Sequence, residues 1–535
     1  MISLILLCGA SLGTSTPLIP PTPSAPPRPS PVVWRQPGDA HAPDSADAAS
    51  SAPARVSQED ARLAEARAKL LAKKEPVVRA GAKICAQVNN VDAVVLLLSV
   101  LEETAGRGSG YLSPPHYRDV AWESLIAITE PYARERVRLE LDDKRAAPRL
   151  RQWCAEALGI WGAPEYGASL AKALQAKDLD LKRAAARSLG NVHSAAGLKA
   201  VKKKIKDKDP MLRANALESV ARQDPEGGRE ALFKALAKDK DAGVRCALLA
   251  AACELYPEEA EALCDRAREH DDWRPRMQAV DSLGLIRTKT AVDQLIEALS
   301  DGRPVVAERA ITALQELTGQ KHRRPDAWRA WWRDNRETFV FPEGRQLPSE
   351  PGGDTVASYN GIRLVSDHVA FLIDKSAAMG ESLSSRGGIS KERAAYDELA
   401  QVFEKLSGRL VFNLFTYELS VRPFSEKGPV KLGKRTAKQA LEFLNKAPLQ
   451  GRKDIWQVLE MVMADADIDT VYLLSSGEPD VGLYVHWNRI TMHLKDLNRF
   501  RKVVIHTIAY SDSKWFRDQL EKIAEATGGE FTWFD

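Results

Sequence analysis

Charge of one sign is what this sequence most plainly lacks. Its 535 residues carry 76 Lys and Arg against 73 Asp and Glu, a formal net charge of +3 at pH 7. No strong field draws in nucleic acid or an anionic membrane, so no nucleic-acid partner is expected. Long hydrophobic runs are missing too. Beyond the first few residues no stretch is long and apolar enough to cross a bilayer, so no membrane-spanning segment is expected. Cysteine is scarce: Cys8, Cys85, Cys154, Cys246, Cys253 and Cys264. None forms a C-x-x-C pair, and the last five fall in helical patterns. They are expected to be buried free thiols, not a zinc site or a disulfide framework. His486 and His493 are too far apart for the i, i+4 pairing of a helical zinc site. His506, in an apolar run, reads as a core residue. No phosphate-binding glycine loop, G-x-S-x-G elbow or Cys–His pair can be placed.

What is present points to several domains. Apolar residues at 44% and charged residues at 28% suit a globular chain too long for one domain. Residues 1–13, MISLILLCGASLG, hold a short apolar core, Ile2 to Leu7, followed by small residues. They read as a possible secretory signal, although no basic residue precedes the core. Export to the cell envelope or periplasm is the corresponding expectation, with a cytoplasmic location the alternative. Residues 14–56 are rich in Pro, Ala and Ser, cannot bury a core, and read as a disordered tether.

Residues 57–341 repeat. RQWCAEALG at Arg151, RAAARSLG at Arg183, RANALESV at Arg213, RCALLAAA at Arg245, RMQAVDSLG at Arg276 and RAITALQELTG at Arg309 are spaced by 32, 30, 32, 31 and 33 residues. Arg118 extends the series upstream by 33, and Arg79 begins it if GRGSGYLSPP, Gly106 to Pro115, is an inserted loop. Each unit is two amphipathic helices and a turn, similar to a HEAT repeat. One unit cannot bury its own apolar face, so neighbours must stack into an all-α solenoid. Before most arginines lies acid: Asp178 and Asp180, Asp207 and Asp209, Asp239 and Asp241, Asp271 and Asp272. Aspartate there caps the following helix, and the arginine is expected to bond an Asp of the adjacent repeat. The basic run Lys199 to Asp209 reads as a solvated helix face. Trp328, Trp331 and Trp332 share one helix face and predict a helix that closes the apolar end of the stack.

Residues 342–361 are rich in turn formers and read as a linker. From 362 to 535 strand and helix patterns alternate, which predicts a parallel sheet covered by helices on both faces. Strands are expected at 368–373, 410–416, 470–475, 502–509 and 530–534, with a hairpin edge at 418–424. His368 to Gly380, HVAFLIDKSAAMG, is a buried strand ending in a carboxylate and a hydroxyl. Ligands gather at such strand ends. These residues resemble the von Willebrand factor A family, whose first strand ends Asp-x-Ser-x-Ser and opens the metal-ion-dependent adhesion site. Gln450 to Asp454 stands where that family has Gly-Gly-Thr-Asp, and Leu473 to Gly477 where it has Leu-Leu-Thr-Asp-Gly. The implied fold is multidomain: a HEAT-like solenoid followed by a doubly wound, Rossmann-like A domain.

The resemblance also implies a ligand set, and here this chain departs from it. Asp374 and Ser376 remain, while Ala378 replaces the second serine, Lys453 the threonine and Ser476 the second aspartate. Mg²⁺ demands six oxygens in near-octahedral geometry, so the site is expected to be degenerate and to hold no metal. If a metal bound, Asp374 and Ser376 would hold it. Lys453 is expected to reach Asp374 and the Ser376 hydroxyl as a built-in substitute for the cation, the alternative being a solvated lysine. The functional expectation is a non-enzymatic scaffold for a protein partner of unknown identity. It would use the solenoid's concave face and the strand-end face of the A domain, with no cofactor. A Mg-dependent adhesion module, with Asp480 supplying a missing oxygen, is the alternative. A hydrolase acting near Glu478 is the third reading.

Overall fold

The helical half follows from its caps. Asp178, Asp209, Asp241 and Asp272 each sit at a helix N-cap, where the carboxylate accepts a hydrogen bond from a backbone N–H of the first turn. Helix pairs run in sequence from Gln58–Leu70 to Pro325–Asn335. This computed structural model describes residues 57–72, 74–105, 116–346 and 357–535. The expected signal and tether, and the inserted loop 106–115, lie outside the described residues. Apolar side chains such as Leu158, Leu189 and Leu217 are buried between successive repeats. The stack closes at its C-terminal end as the tryptophan spacing predicts. Trp328 and Trp332 are buried, and Trp331 and Trp332 pack edge-on against Phe339.

The expected arginine–aspartate ladder forms at three of the eight repeat arginines. Arg183 grips Asp209 at 3.0 and 2.6 Å, Arg213 grips Asp239 at 2.7 and 2.9 Å, and Arg276 grips Asp301 at 2.8 and 2.9 Å. Each reaches the turn of the next repeat. Arg245 does not. Its Nε donates to the Asp239 carbonyl at 2.6 Å, within its own turn. In the next repeat, Asp272 is held at 2.9 and 2.8 Å by its neighbour Arg274. Arg213→Ala should therefore destabilise the full chain by about 1–3 kcal/mol, because a mostly buried carboxylate loses two charged donors. Arg245→Ala should cost less. Equal losses in melting experiments would contradict this distinction.

The C-terminal half opens with a two-stranded hairpin, β1 (Ser358–Tyr359) and β2 (Ile362–Arg363). Residues expected to be linker thus belong to the domain, because Tyr359 is fully buried against Phe371 and Tyr472. The main sheet contains β3 (His368–Asp374), β4 (Val411–Tyr417), β5 (Val421–Pro423), β6 (Val430–Lys431), β7 (Thr470–Ser475), β8 (Val504–Tyr510) and β9 (Phe531–Phe534). Its order is β5-β4-β3-β7-β8-β9, with β6 pairing β4. The β4–β3–β7–β8–β9 pairs are parallel, while the β5 and β6 edge pairs are antiparallel. Apolar clusters cover both faces, as alternation of strand and helix requires.

The described residues form one compact unit, and the reason is a long intramolecular interface. The arginine-bearing helices face the C-terminal domain repeat by repeat. In His116–Ile126, Arg118 donates to the Gly482 carbonyl at 2.7 Å, and Asp119 accepts from the N–H groups of Val485 and His486 at 2.9 and 2.8 Å. In Pro148–Trp161, Glu156 meets Arg489 at 3.0 Å. Further along, Arg187 meets Asp496 at 3.1 Å, Glu218 meets Arg499, and Asp281 meets Lys502. Gly243 admits the Phe500 backbone, since a Cβ there would lie 2.9 Å from the Phe500 carbonyl oxygen. Arg303 reaches Asp469 at 2.6 Å, and Glu308 meets Arg363 at 2.8 Å. The helix Trp487–Arg501 lies at the centre of these contacts. The arginine-bearing face of the solenoid is therefore occupied by the chain's own domain.

Candidate functional site

Asp374 ends β3, the strand flanked by β4 on one side and β7 on the other. That is the topological switch point of the sheet, where strand-end loops diverge and leave room for a site. The Asp374 side chain is fully buried. Its Oδ1 accepts the Ser376 N–H at 2.7 Å. Its Oδ2 accepts the Ser476 N–H at 2.9 Å, the Ser476 hydroxyl at 2.6 Å and the Lys453 ammonium at 3.1 Å. Three of these four donors crowd Oδ2 and one meets Oδ1. Burial pushes the Asp374 carboxyl up, but Lys453 and the three hydrogen bonds outweigh it and hold the group below its ordinary value.

Lys453 is itself buried, with 3% of its surface exposed, so the solvated alternative does not describe its position. Besides Asp374, its ammonium donates to the Ser476 hydroxyl at 3.0 Å. The expected bond to Ser376 is not formed. The Ser376 hydroxyl instead lies 3.3 Å from that of Ser476. Gly477 leaves room for the ammonium, since a Cβ there would stand 3.3 Å from Nζ. Ala378, in the turn Ala377–Gly380, contributes no side-chain oxygen. Asp374, Ser376, Lys453 and Ser476 thus converge, and a cation already stands beside the carboxylate. The Ser376 and Ser476 hydroxyls and the Asp374 carboxylate are hydrogen-bonded among themselves, with the Lys453 ammonium beside them.

Lys375 was not singled out in the sequence. It is 1% exposed, pairs with Glu392 and donates to the Leu444 carbonyl at 3.2 Å. Alternation along β3 sends it away from the Asp374 cluster, and its position beside Asp374 was the available signal. Asp480 is exposed and accepts the Lys453 N–H at 3.3 Å. Glu478 is exposed. His506 stacks on Tyr472 at 4.8 Å in the core, as its apolar surroundings predict. At the other end of β3, Asp367, His368 and Asp469 come together, but Asp469 is taken by Arg303, Ser366 and Thr470.

The loop after Ser476 connects this cluster to the solenoid. Asp480 and Val481 donate to the Lys453 carbonyl at 3.1 and 3.3 Å. Gly482 then presents its carbonyl to Arg118. Gly482 has φ +111, and the Asp454 carboxylate fills the space a side chain would need. Asp454 caps the helix Ile455–Met463 through the Gln457 N–H at 2.9 Å. Burial pushes its carboxyl up to about 6. A folded-state pKa above the unfolded value means that the folded state holds the extra proton. Stability should then fall as pH rises from about 4 to about 6. Asp454→Asn keeps the cap and removes the charge. It should raise stability at pH 7 by about 1–3 kcal/mol and flatten that pH window. An unchanged pH profile in denaturant unfolding would contradict the assignment.

Comparison with known proteins agrees with the helical half. Residues 167–253 and 260–338 match the family model for HEAT repeats. No curated protein sequence matches the chain. Among solved structures, a von Willebrand factor type A protein from Catenulispora acidiphila is similar at 15% identity and a TM-score of 0.26. The match covers 32% of this chain and only 39% of that one. The complex of CpcE and CpcF of phycocyanin lyase from Nostoc sp. PCC7120 matches at 16% identity, covering 51% of this chain and 99% of that one, with a TM-score of 0.28. Human deoxyhypusine hydroxylase matches at 18%, covering 48% and 92%, with a TM-score of 0.24. Likenesses this distant say nothing about what this chain binds. The chain joins helical repeats, part of which match the HEAT model, to an α/β domain whose mostly parallel sheet is covered on both faces. Among the described residues, no helix is long and apolar enough to cross a membrane.

Proposed function

We propose that this protein is a non-enzymatic, protein-binding scaffold whose A-type domain works without a metal. The observation that carries this reading is the Lys453 ammonium, 3.1 Å from Asp374 and buried with it. A strand-end carboxylate sheltered from water needs a compensating charge. A lysine supplies it permanently, so the face keeps one conformation whatever the metal concentration. HEAT repeats are interaction architectures, although fold alone does not assign a function. Because the arginine-bearing helices hold the chain's own domain, a partner would meet the strand-end face, around exposed Leu419, Gly451 and Arg452. Export to the cell envelope, by way of the N-terminal segment, is part of the same proposal.

Two measurements test it on the full chain. Calorimetric titration with MgCl₂ should give no binding heat, and the melting temperature should not move. Magnesium-dependent stabilisation would favour the adhesion-module reading instead. Leu419→Asp should abolish capture of the partner without changing the melting temperature. Equal capture by the variant and wild type would remove the strand-end face from the proposal. A broad hydrolase screen that finds activity lost in Glu478→Gln would favour the enzymatic reading.

A further inference from the structure

Five of the six cysteines fall in the described residues, and two of them meet. Cys253 lies in the last turn of the helix Ala242–Leu255, and Cys264 lies in the helix Ala260–Arg268, the second helix of the same repeat. A short turn, Pro257–Glu259, joins them. Their sulfur atoms are 3.7 Å apart. Cys253 is half-buried and Cys264 is fully buried. Cys85, Cys154 and Cys246 are all buried. The sequence spacing gave no sign of this pair, because it is not C-x-x-C. The turn and the two helices bring the thiols together.

We propose that Cys253 and Cys264 form a peroxide-reactive dithiol that closes to a disulfide within one repeat. Cys253 is the attacking sulfur, since it is the one solvent can reach, and Cys264 is the resolving sulfur. The Cys253 thiolate attacks one oxygen of hydrogen peroxide. The O–O bond breaks, hydroxide leaves and takes a proton to become water, and Cys253 becomes a sulfenic acid. The Cys264 sulfur then attacks Cys253. The S–S bond forms, and the hydroxyl leaves with the Cys264 proton as a second water. Two thiols lose two electrons in all, and one peroxide gains them.

The geometry asks little of the fold. A disulfide needs its sulfurs about 2.05 Å apart, so about 1.7 Å of approach is required. Cys253 lies in the last turn of its helix, where the backbone is least constrained by hydrogen bonds. The electrostatics agree. The two thiols share a contact in which either can donate, and burial disfavours the thiolate at Cys264. The roles rest on exposure, since Cys253 is half-buried and Cys264 fully buried. Closing the bond would tie together the two helices of the repeat that admits Phe500 at Gly243. It would stiffen the repeat at the centre of the clamp on the C-terminal domain.

The full chain should be treated with hydrogen peroxide while folded, its remaining thiols alkylated, and its peptides mapped without reductant. One cross-link, Cys253 to Cys264, is expected, with Cys85, Cys154 and Cys246 still alkylated and the link reversed by dithiothreitol. Oxidation should raise the melting temperature by about 2–4 °C. Cys264→Ser should instead accumulate a sulfenic acid at Cys253, trapped by dimedone. Cys253→Ser should leave Cys264 reduced and the melting temperature unmoved by peroxide. The proposal is overturned if the wild type forms no such link, or if the buried cysteines oxidise as fast as Cys253. It is also overturned if Cys264 still oxidises in Cys253→Ser.

Discussion

Lys453→Met should destabilise the full chain by about 3–5 kcal/mol, the cost of leaving a buried carboxylate without its partner. The substitution keeps most of the apolar stem and removes only the charge that faces Asp374 at 3.1 Å. Adding Asp374→Asn to it should recover much of the loss, because neither charge is then stranded, and the two effects should be strongly non-additive. The pH dependence has a definite sign. The folded-state pKa of Asp374 is depressed, so its contribution is fully present above the unfolded carboxyl pKa of about 4. It is lost as pH falls through the lower folded value. The gap between wild type and Lys453→Met should therefore close only in acid. Equal stability of the two proteins at pH 7 would mean that the ammonium does not hold the site. The triple variant Ala378→Ser, Lys453→Thr, Ser476→Asp goes the other way. It supplies the oxygen types of the von Willebrand A family that these residues resemble, so MgCl₂ should raise its melting temperature.

Arg489→Met should loosen the interface between the two halves, at a cost of about 3–5 kcal/mol. Arg489 is 1% exposed, 3.0 Å from Glu156, with its guanidinium 3.8 Å from the centre of the Trp122 ring. Its loss strands Glu156 and removes a desolvated cation–π contact. Gln152 would remain the carboxylate's neighbour at 2.9 Å, but an amide does not balance a charge. Amide exchange across residues 477–502 should speed up, since these residues are held by the clamp. Lys495→Ala, at an exposed position of the same helix, should leave exchange unchanged. If Arg489→Met also leaves exchange unchanged, the clamp is held elsewhere, at Glu218 and Asp281.

Much of this protein is determined by residues that are close in sequence. The 30- to 33-residue arginine spacing and the aspartate caps specify stacked helix pairs, because burial of one helix face and capping of one turn are local requirements. The alternation after residue 362 specifies a covered parallel sheet for the same reason. The Asp374 cluster was legible as far as strand ends allow. Motif order puts Asp374, Lys453 and Ser476 at one edge of the sheet. Side-chain geometry then decided that the lysine bonds Ser476 and not Ser376.

Other features were settled only by tertiary structure. Arg245 fits the repeat as well as Arg213 does, yet its Nε donates to the Asp239 carbonyl of its own turn, where Arg213 reaches the carboxylate of the next repeat. Tyr359 reads as part of a linker and is buried by rings more than ten residues away. The clamp is the largest case. Glu156, Glu218 and Asp281 on one side meet Arg489, Arg499 and Lys502 on the other. Nothing local distinguishes a charge facing water from one facing an opposite charge more than two hundred residues away in the chain. Only the fold brings the two rows together, and their burial against each other turns the solenoid face into an internal interface.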